Sequence, residues 1–165
     1  MSNAYAVRFA RSILENYWDK TLPVNLTDIA EKLGVQVVYD SFSQGIFGSG
    51  DDISGTFKYV DGVPTCTVNI NHHRNRQRFT LAHELGHFVL EHGEKSDNSQ
   101  TLYRQNNHTD PVEIEANNFA AELLMPKTAI SILIREESFG ISELAEWFEV
   151  SEQAMYFRLK NLGWL

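Results

Sequence analysis

Disulfide stabilisation is excluded from the outset, because the only cysteine in the sequence is Cys66 and a single thiol has no partner within the chain. Cys66 stands in an apolar, strand-like run, where a buried and unreactive thiol is the expectation. No stretch approaches the 18 consecutive apolar residues of a membrane-spanning helix, and the start lacks a signal-peptide pattern. A cytoplasmic protein without a membrane role is therefore expected. Basic residues are also scarce: 14 Lys and Arg stand against 22 Asp and Glu, for a net charge of -8. Broad binding to a phosphate backbone needs an excess of Lys and Arg, so direct DNA binding is disfavoured and a basic protein partner fits better. The one dense basic stretch, Arg74 to Arg78, reads as the solvated first turns of a helix. Gly45, Gly48 and Gly50 mark a loop over Gln44 to Asp52, but no Lys-Ser/Thr or helix follows to make it a phosphate cradle.

What is present is more specific. His83-Glu84-Leu85-Gly86-His87 sets two imidazoles four residues apart, about 40° from each other around a helix and one turn apart along it. Both rings can reach one metal ion. Glu84, about 100° round from His83, flanks that ion and suits proton transfer from a metal-activated water. This is the spacing of zinc-dependent hydrolases. Gly86 costs helix stability of about 1 kcal/mol relative to Ala, so its presence predicts close approach by another element, and a second ligand-bearing helix fits.

A catalytic zinc takes three protein ligands and leaves one position for water. No histidine follows at the short metzincin spacing, although His92 and Gly93 lie nearby, so a distant carboxylate is expected. Asp110-Pro111-Val112-Glu113 opens a helix with an N-cap and a proline at its first position, and Pro126 closes it. Glu113 is the candidate third ligand, with Asn117 one turn later on the same face to orient a histidine through its other ring nitrogen. Asp110 and Glu113 also have capping-box spacing, which gives Glu113 a purely structural alternative. Glu115, about 200° round from Glu113, is the rival ligand; only one of the two can face the ion.

The block Arg78-Phe79-Thr80-Leu81-Ala82-His83-Glu84-Leu85-Gly86-His87, together with Glu113-Ile114-Glu115-Ala116-Asn117-Asn118-Phe119-Ala120-Ala121-Glu122-Leu123-Leu124-Met125-Pro126, resembles the ImmA/IrrE family of metallopeptidases. The upstream block from Pro23 to Val35 extends the likeness over most of residues 20 to 126. The resemblance implies that His83, His87 and Glu113 hold Zn²⁺ and that Glu84 is the catalytic base. It also implies a protein substrate, since similar proteins cleave or otherwise inactivate helix-turn-helix repressors of prophages and mobile elements, or act in stress-response switches. Two other functions stay open: a non-catalytic metal-binding antirepressor or sensor, and a DNA-binding regulator.

The expected fold is α+β: a zincin-like minimal metallopeptidase with a small antiparallel or mixed sheet packed on the active-site helix. Residues 1–126 would form this core and 127–165 a helical C-terminal subdomain. Apolar periodicity predicts a helix over Tyr5 to Lys20 with Val7, Phe9, Ala10, Ile13, Leu14, Tyr17 and Trp18 packing inward. A helix over Leu26 to Leu33 should stop at Gly34 and lead into a strand at Val35 to Tyr39. Ile53 to Val60, Asp61-Gly62 and Val63 to Ile70 read as a hairpin, whose edge could receive a substrate strand. The polar segment between His92 and Asp110 is expected to pack loosely, with Tyr103 or His108 available to stabilise an oxyanion from a lid. In the C-terminal part, Leu144, Ala145, Val150, Ala154 and Leu159 suggest a helix-turn-helix. Residues 141 to 165, however, carry Glu143, Glu146, Glu149 and Glu152 against Arg158 and Lys160, a net charge of -2 that favours protein docking or a core role over DNA.

Overall fold

A computed structural model describes residues 2–42, 53–98 and 110–165. The proposed loop at Gln44 to Asp52 and the candidate oxyanion groups Tyr103 and His108 lie outside the described residues.

Helix α1 (Ser2–Tyr17) buries Ala6, Ala10 and Leu14, one residue per turn on a single stripe. Phe9 was expected on that stripe but is 38% exposed. It lies about 100° round from Ala10 and packs at the surface against Tyr5, with ring centroids 4.9 Å apart. Helix α2 (Leu26–Lys32) is capped by Asn25, which accepts from the Asp28 amide at 3.0 Å. The chain then turns at Gly34 with φ +78, a left-handed conformation that costs glycine little.

Strand β1 (Gln36–Asp40) follows, and the predicted hairpin forms from β2 (Ile53–Val60) and β3 (Val63–Asn69). Asp61 and Gly62 have φ of 50 and 81, the paired positive values of the turn whose twist suits a two-residue hairpin. β1 runs parallel to β3, and a further strand, β4 (Lys95–Asn98), runs antiparallel to β2. The mixed sheet thus has the order β1-β3-β2-β4. Two expectations change here. The hairpin supplies the two inner strands, so neither of them offers a free edge. The start of the polar segment after His92 is held as an edge strand, because ladder hydrogen bonds do not need the apolar side chains that the segment lacks.

Helix α3 (Arg74–Val89) crosses the inner face of the sheet, and α4 (Pro111–Leu124) packs between α3 and α1. Phe57, Cys66, Leu81, Leu85, Phe119 and Leu123 form the centre of the core. Helices α5 (Lys127–Glu137), α6 (Ile141–Phe148) and α7 (Glu152–Asn161) complete the chain. Leu144, Ala145, Val150 and Leu159 are buried, and Ala154 is half-buried. Buried Arg158 donates to the Met125 carbonyl at 3.1 Å and pairs with Glu122. Arg78 departs from the solvated role expected of it: it donates to the carbonyls of Val24 at 3.0 Å, Phe148 at 3.4 Å and Glu149 at 3.3 Å. A guanidinium has five donors, and here they tie the start of α3 to the end of α6. Among the described residues, no helix is long and apolar enough to cross a membrane.

Candidate metal centre

Glycine sets how closely the layers around α3 approach. A Cβ on Gly86 would stand 3.1 Å from Phe119 Cδ1 and 3.4 Å from Ala116 Cα, so the missing side chain is what lets α4 lie against α3. On the sheet side, a Cβ on Gly55 would stand 2.4 Å from Thr80 Cγ2 and 3.3 Å from Glu84 Cγ. The cost of glycine in α3 is thus offset by helix contact, as its position suggested.

Between these layers His83, Glu84 and His87 are completely buried. His83 Nε2 and His87 Nε2 are 3.0 Å apart. Asp110 caps α4 through the Val112 amide at 3.0 Å, which leaves Glu113 free to turn inward. Glu113 Oε2 lies 2.8 Å from His83 Nε2, and its Oε1 lies 3.4 Å from His87 Nε2. Asn117 Oδ1 stands 2.8 Å from His83 Nδ1. Glu115 faces elsewhere, with its Oε1 3.0 Å from His92 Nε2.

Two participants were not legible beforehand. Asp97, on β4, places Oδ2 3.0 Å from His87 Nε2 and 3.4 Å from His83 Nε2. Its segment has no helical spacing to the motif, so only strand pairing reveals it. His92 places Nδ1 2.9 Å from His87 Nδ1, and its five-residue separation from His87 was the only hint.

These contacts define a consistent set of tautomers. Asn117 Oδ1 can only accept, so His83 Nδ1 donates and His83 Nε2 presents a lone pair. Glu115 accepts from His92 Nε2, so His92 Nδ1 accepts from His87 Nδ1, and His87 Nε2 also presents a lone pair. Two lone pairs 3.0 Å apart beside carboxylates call for a cation. A tetrahedral ion with bonds of about 2.0–2.1 Å separates its donors by about 3.3–3.4 Å. The two imidazoles lie 3.0 Å from each other and 2.8 to 3.4 Å from oxygens of Glu113 and Asp97, so small outward shifts would seat such an ion. Imidazoles with carboxylates suit a transition-metal ion better than magnesium or calcium, which favour all-oxygen sites.

In the ion's place a proton on the imidazoles meets the same carboxylates, so the site's demand for positive charge shows in its electrostatics as well. Burial opposes charging of His83, but the Asp97 and Glu113 carboxylates outweigh it and raise its pKa to about 9. Burial likewise works against ionised Asp97 and Glu113, yet hydrogen bonds with His83 and His87 hold both carboxyls below their ordinary range. Glu84 behaves oppositely: burial, then Asp97, push its carboxyl well above the usual value. Neither Glu84 oxygen receives a hydrogen bond. Three carboxylates converge on two imidazoles, with His83, Glu84, His87 and Asp97 each offering a ligand atom within 4.8 Å of the others. Glu84 and Glu113 thus differ in kind: Glu113 touches both ring nitrogens, whereas Glu84 is a high-pKa carboxyl suited to holding and passing a proton.

Residues 30–160 match the family described as Peptidase_M78, the IrrE N-terminal-like domain. The chain belongs to this family. It is 33% identical over 96 residues to "Uncharacterized immunity region protein 2" of Bacillus phage phi105, a match covering 57% of this chain and 58% of that protein. The chain therefore spans little more than half the length of that phage protein. It is 22% identical over 152 residues to "Metallopeptidase ImmA" of Bacillus subtilis (strain 168), covering 89% of each. The α+β fold with its small mixed sheet fits the ImmA/IrrE assignment.

Proposed function

We propose that the chain is a zinc-dependent endopeptidase in which His83, His87 and Glu113 hold the ion and Glu84 is the catalytic acid-base residue. The observation carrying this reading is the convergence of both Nε2 lone pairs on Glu113 beside a buried carboxyl without a donor. When bound, the zinc ion would supply Lewis acidity toward a peptide carbonyl and toward water. The charge of a bound ion would favour ionised Glu84, which takes the proton from the attacking water and returns it to the leaving amine, so the carboxylate is regenerated in each turnover. Asn117 fixes the ring of His83, and the His92-Glu115 pair fixes that of His87, keeping both Nε2 atoms aimed inward. The fully buried flanks of α3 exclude bulk water, which strengthens each of these polar contacts.

The substrate we propose is a helix-turn-helix repressor of a prophage or mobile element. Similarity to a phage immunity-region protein and to ImmA supports this class, as does the net charge of -8, which favours encounter with a basic DNA-binding partner. A cytoplasmic setting follows from such a substrate. Direct DNA binding is not part of the reading, because Arg74, Arg76 and Arg78 are engaged with Glu149, Ser54 and backbone carbonyls within the chain. The division into a 1–126 core and a 127–165 subdomain belongs to the same proposal, with the latter serving in docking or packing.

Elemental analysis should find one zinc per chain, and the purified protein should cleave a repressor encoded beside it unless a chelator is present. Glu84→Gln should retain the zinc and lose cleavage by about 10²–10⁴-fold, whereas His83→Ala should lose both. Undiminished cleavage by Glu84→Gln would reject the assignment. Relief of repression by that variant would instead favour a non-catalytic antirepressor.

A further inference from the structure

Strand β4 reads Lys95-Ser96-Asp97-Asn98 and brings no apolar side chain to the core. Of its residues only Asp97 is fully buried, at 2% exposure. Its carboxylate lies against both Nε2 atoms and beside Glu84. A carboxylate placed beside Glu84 and Glu113 needs positive charge to offset it, and a cation held by the same imidazoles would supply it. The pairing is also irregular at this point: Asn98 opposes Ile53 and Asp97 opposes Gly55, leaving Ser54 as an extra residue on β2. Such bulges redirect side chains, and they recur beside active sites. Upstream, Glu94 Oε2 accepts from the Tyr59 amide at 2.9 Å and fixes where the strand begins.

We propose that Asp97 is a fourth protein ligand of the metal, and that β4 thereby occupies, as an internal strand, the edge of β2 on which a substrate peptide would pair. The inference rests on the metal reading above and adds to it a closed resting state. With Asp97 bound, the coordination position that catalysis requires is filled by the chain itself. Displacement is feasible because β4 is a strand of four residues with no apolar side chain to anchor it. An extended segment of the substrate protein can replace that ladder bond for bond, and its arrival frees the position that Asp97 held. Recognition and activation are then one event.

The test uses the full chain loaded with one Co²⁺, with acetohydroxamate as the probe of an open coordination position and the visible cobalt spectrum as the readout. Wild type should bind the probe weakly. Asp97→Ala should bind it at least about tenfold more tightly, while its Co²⁺ affinity, measured by chelator competition, falls about 10–100-fold, the scale expected when a partner of a metal site is lost. Asp97→Asn keeps the shape of the strand residue and should shift both quantities in the same directions, so the test does not depend on the alanine variant folding. Equal probe affinity in wild type and Asp97→Asn, each with one cobalt, would overturn the Asp97 assignment while leaving the three-ligand site intact. Failure of wild type to bind cobalt any better than His83→Ala would overturn both.

Discussion

Helices α3 and α4 and strand β4 bring donors to the same point by different physical routes. His83, His87 and Glu113 arrive on helices whose neighbouring turns are anchored by fully buried Leu85, Phe119 and Leu123. Asp97 arrives on a four-residue polar strand at the margin of the sheet. The helical donors are held in position by the core whether or not a cation is bound, whereas Asp97 is held mainly by what it touches. A rigid triad with one exchangeable partner is what a site needs if it must keep its metal and still admit a substrate.

The sharpest way to break the helical side is Phe119→Ala. Phe119 is completely buried against Gly86, and its loss should destabilise the fold by about 3–5 kcal/mol, read by denaturant unfolding. Gly55→Val attacks the contact between sheet and helix, because its Cβ would meet Thr80 Cγ2 at 2.4 Å and the Thr67 carbonyl at 3.0 Å. A cost of about 1–3 kcal/mol is expected, together with slower cleavage as Glu84 is displaced. Asn117→Ala and His92→Ala leave the donors in place but remove what orients them, so each should lower metal affinity about 10–100-fold with little loss of secondary structure by circular dichroism. The smallest effect belongs to the strand. Ser96 is exposed on β4, and Ser96→Ala should change stability by no more than about 0.5 kcal/mol; a loss of several kcal/mol would mean that β4 is anchored more firmly than its composition implies.

The same contrast explains what could be read ahead of the structure. His83, Glu84 and His87 are joined by one helical turn, and Glu113 and Asn117 by another, so local periodicity alone put each group on one face. Gly86 signalled the helix that would lie beside it, and Asp61-Gly62 signalled the hairpin. Asp97 carried no such signal, because its position depends on which strand β4 pairs with and on a bulge at Ser54. His92 was visible as a neighbour of the motif, but the reversal of the chain that turns it back onto His87 was not. Arg78 was misread for a related reason: one-dimensional charge patterning cannot tell a solvated arginine from one whose donors meet three carbonyls contributed by distant segments.

Glu122 links the metal centre to the rest of the molecule. It lies nine residues beyond Glu113 on α4, about 13 Å along the axis and on the opposite face, where it joins Arg11 of α1 to Arg158 of α7. A carboxylate gripped from two sides acts as a torsional stop, so α4 cannot roll about its axis without giving up an ion pair that has little solvent to replace it. The bearing of Glu113 toward the imidazoles is thus locked from the far end of its own helix, and a partner that pries α1 or α7 away would detune the metal pocket without touching it.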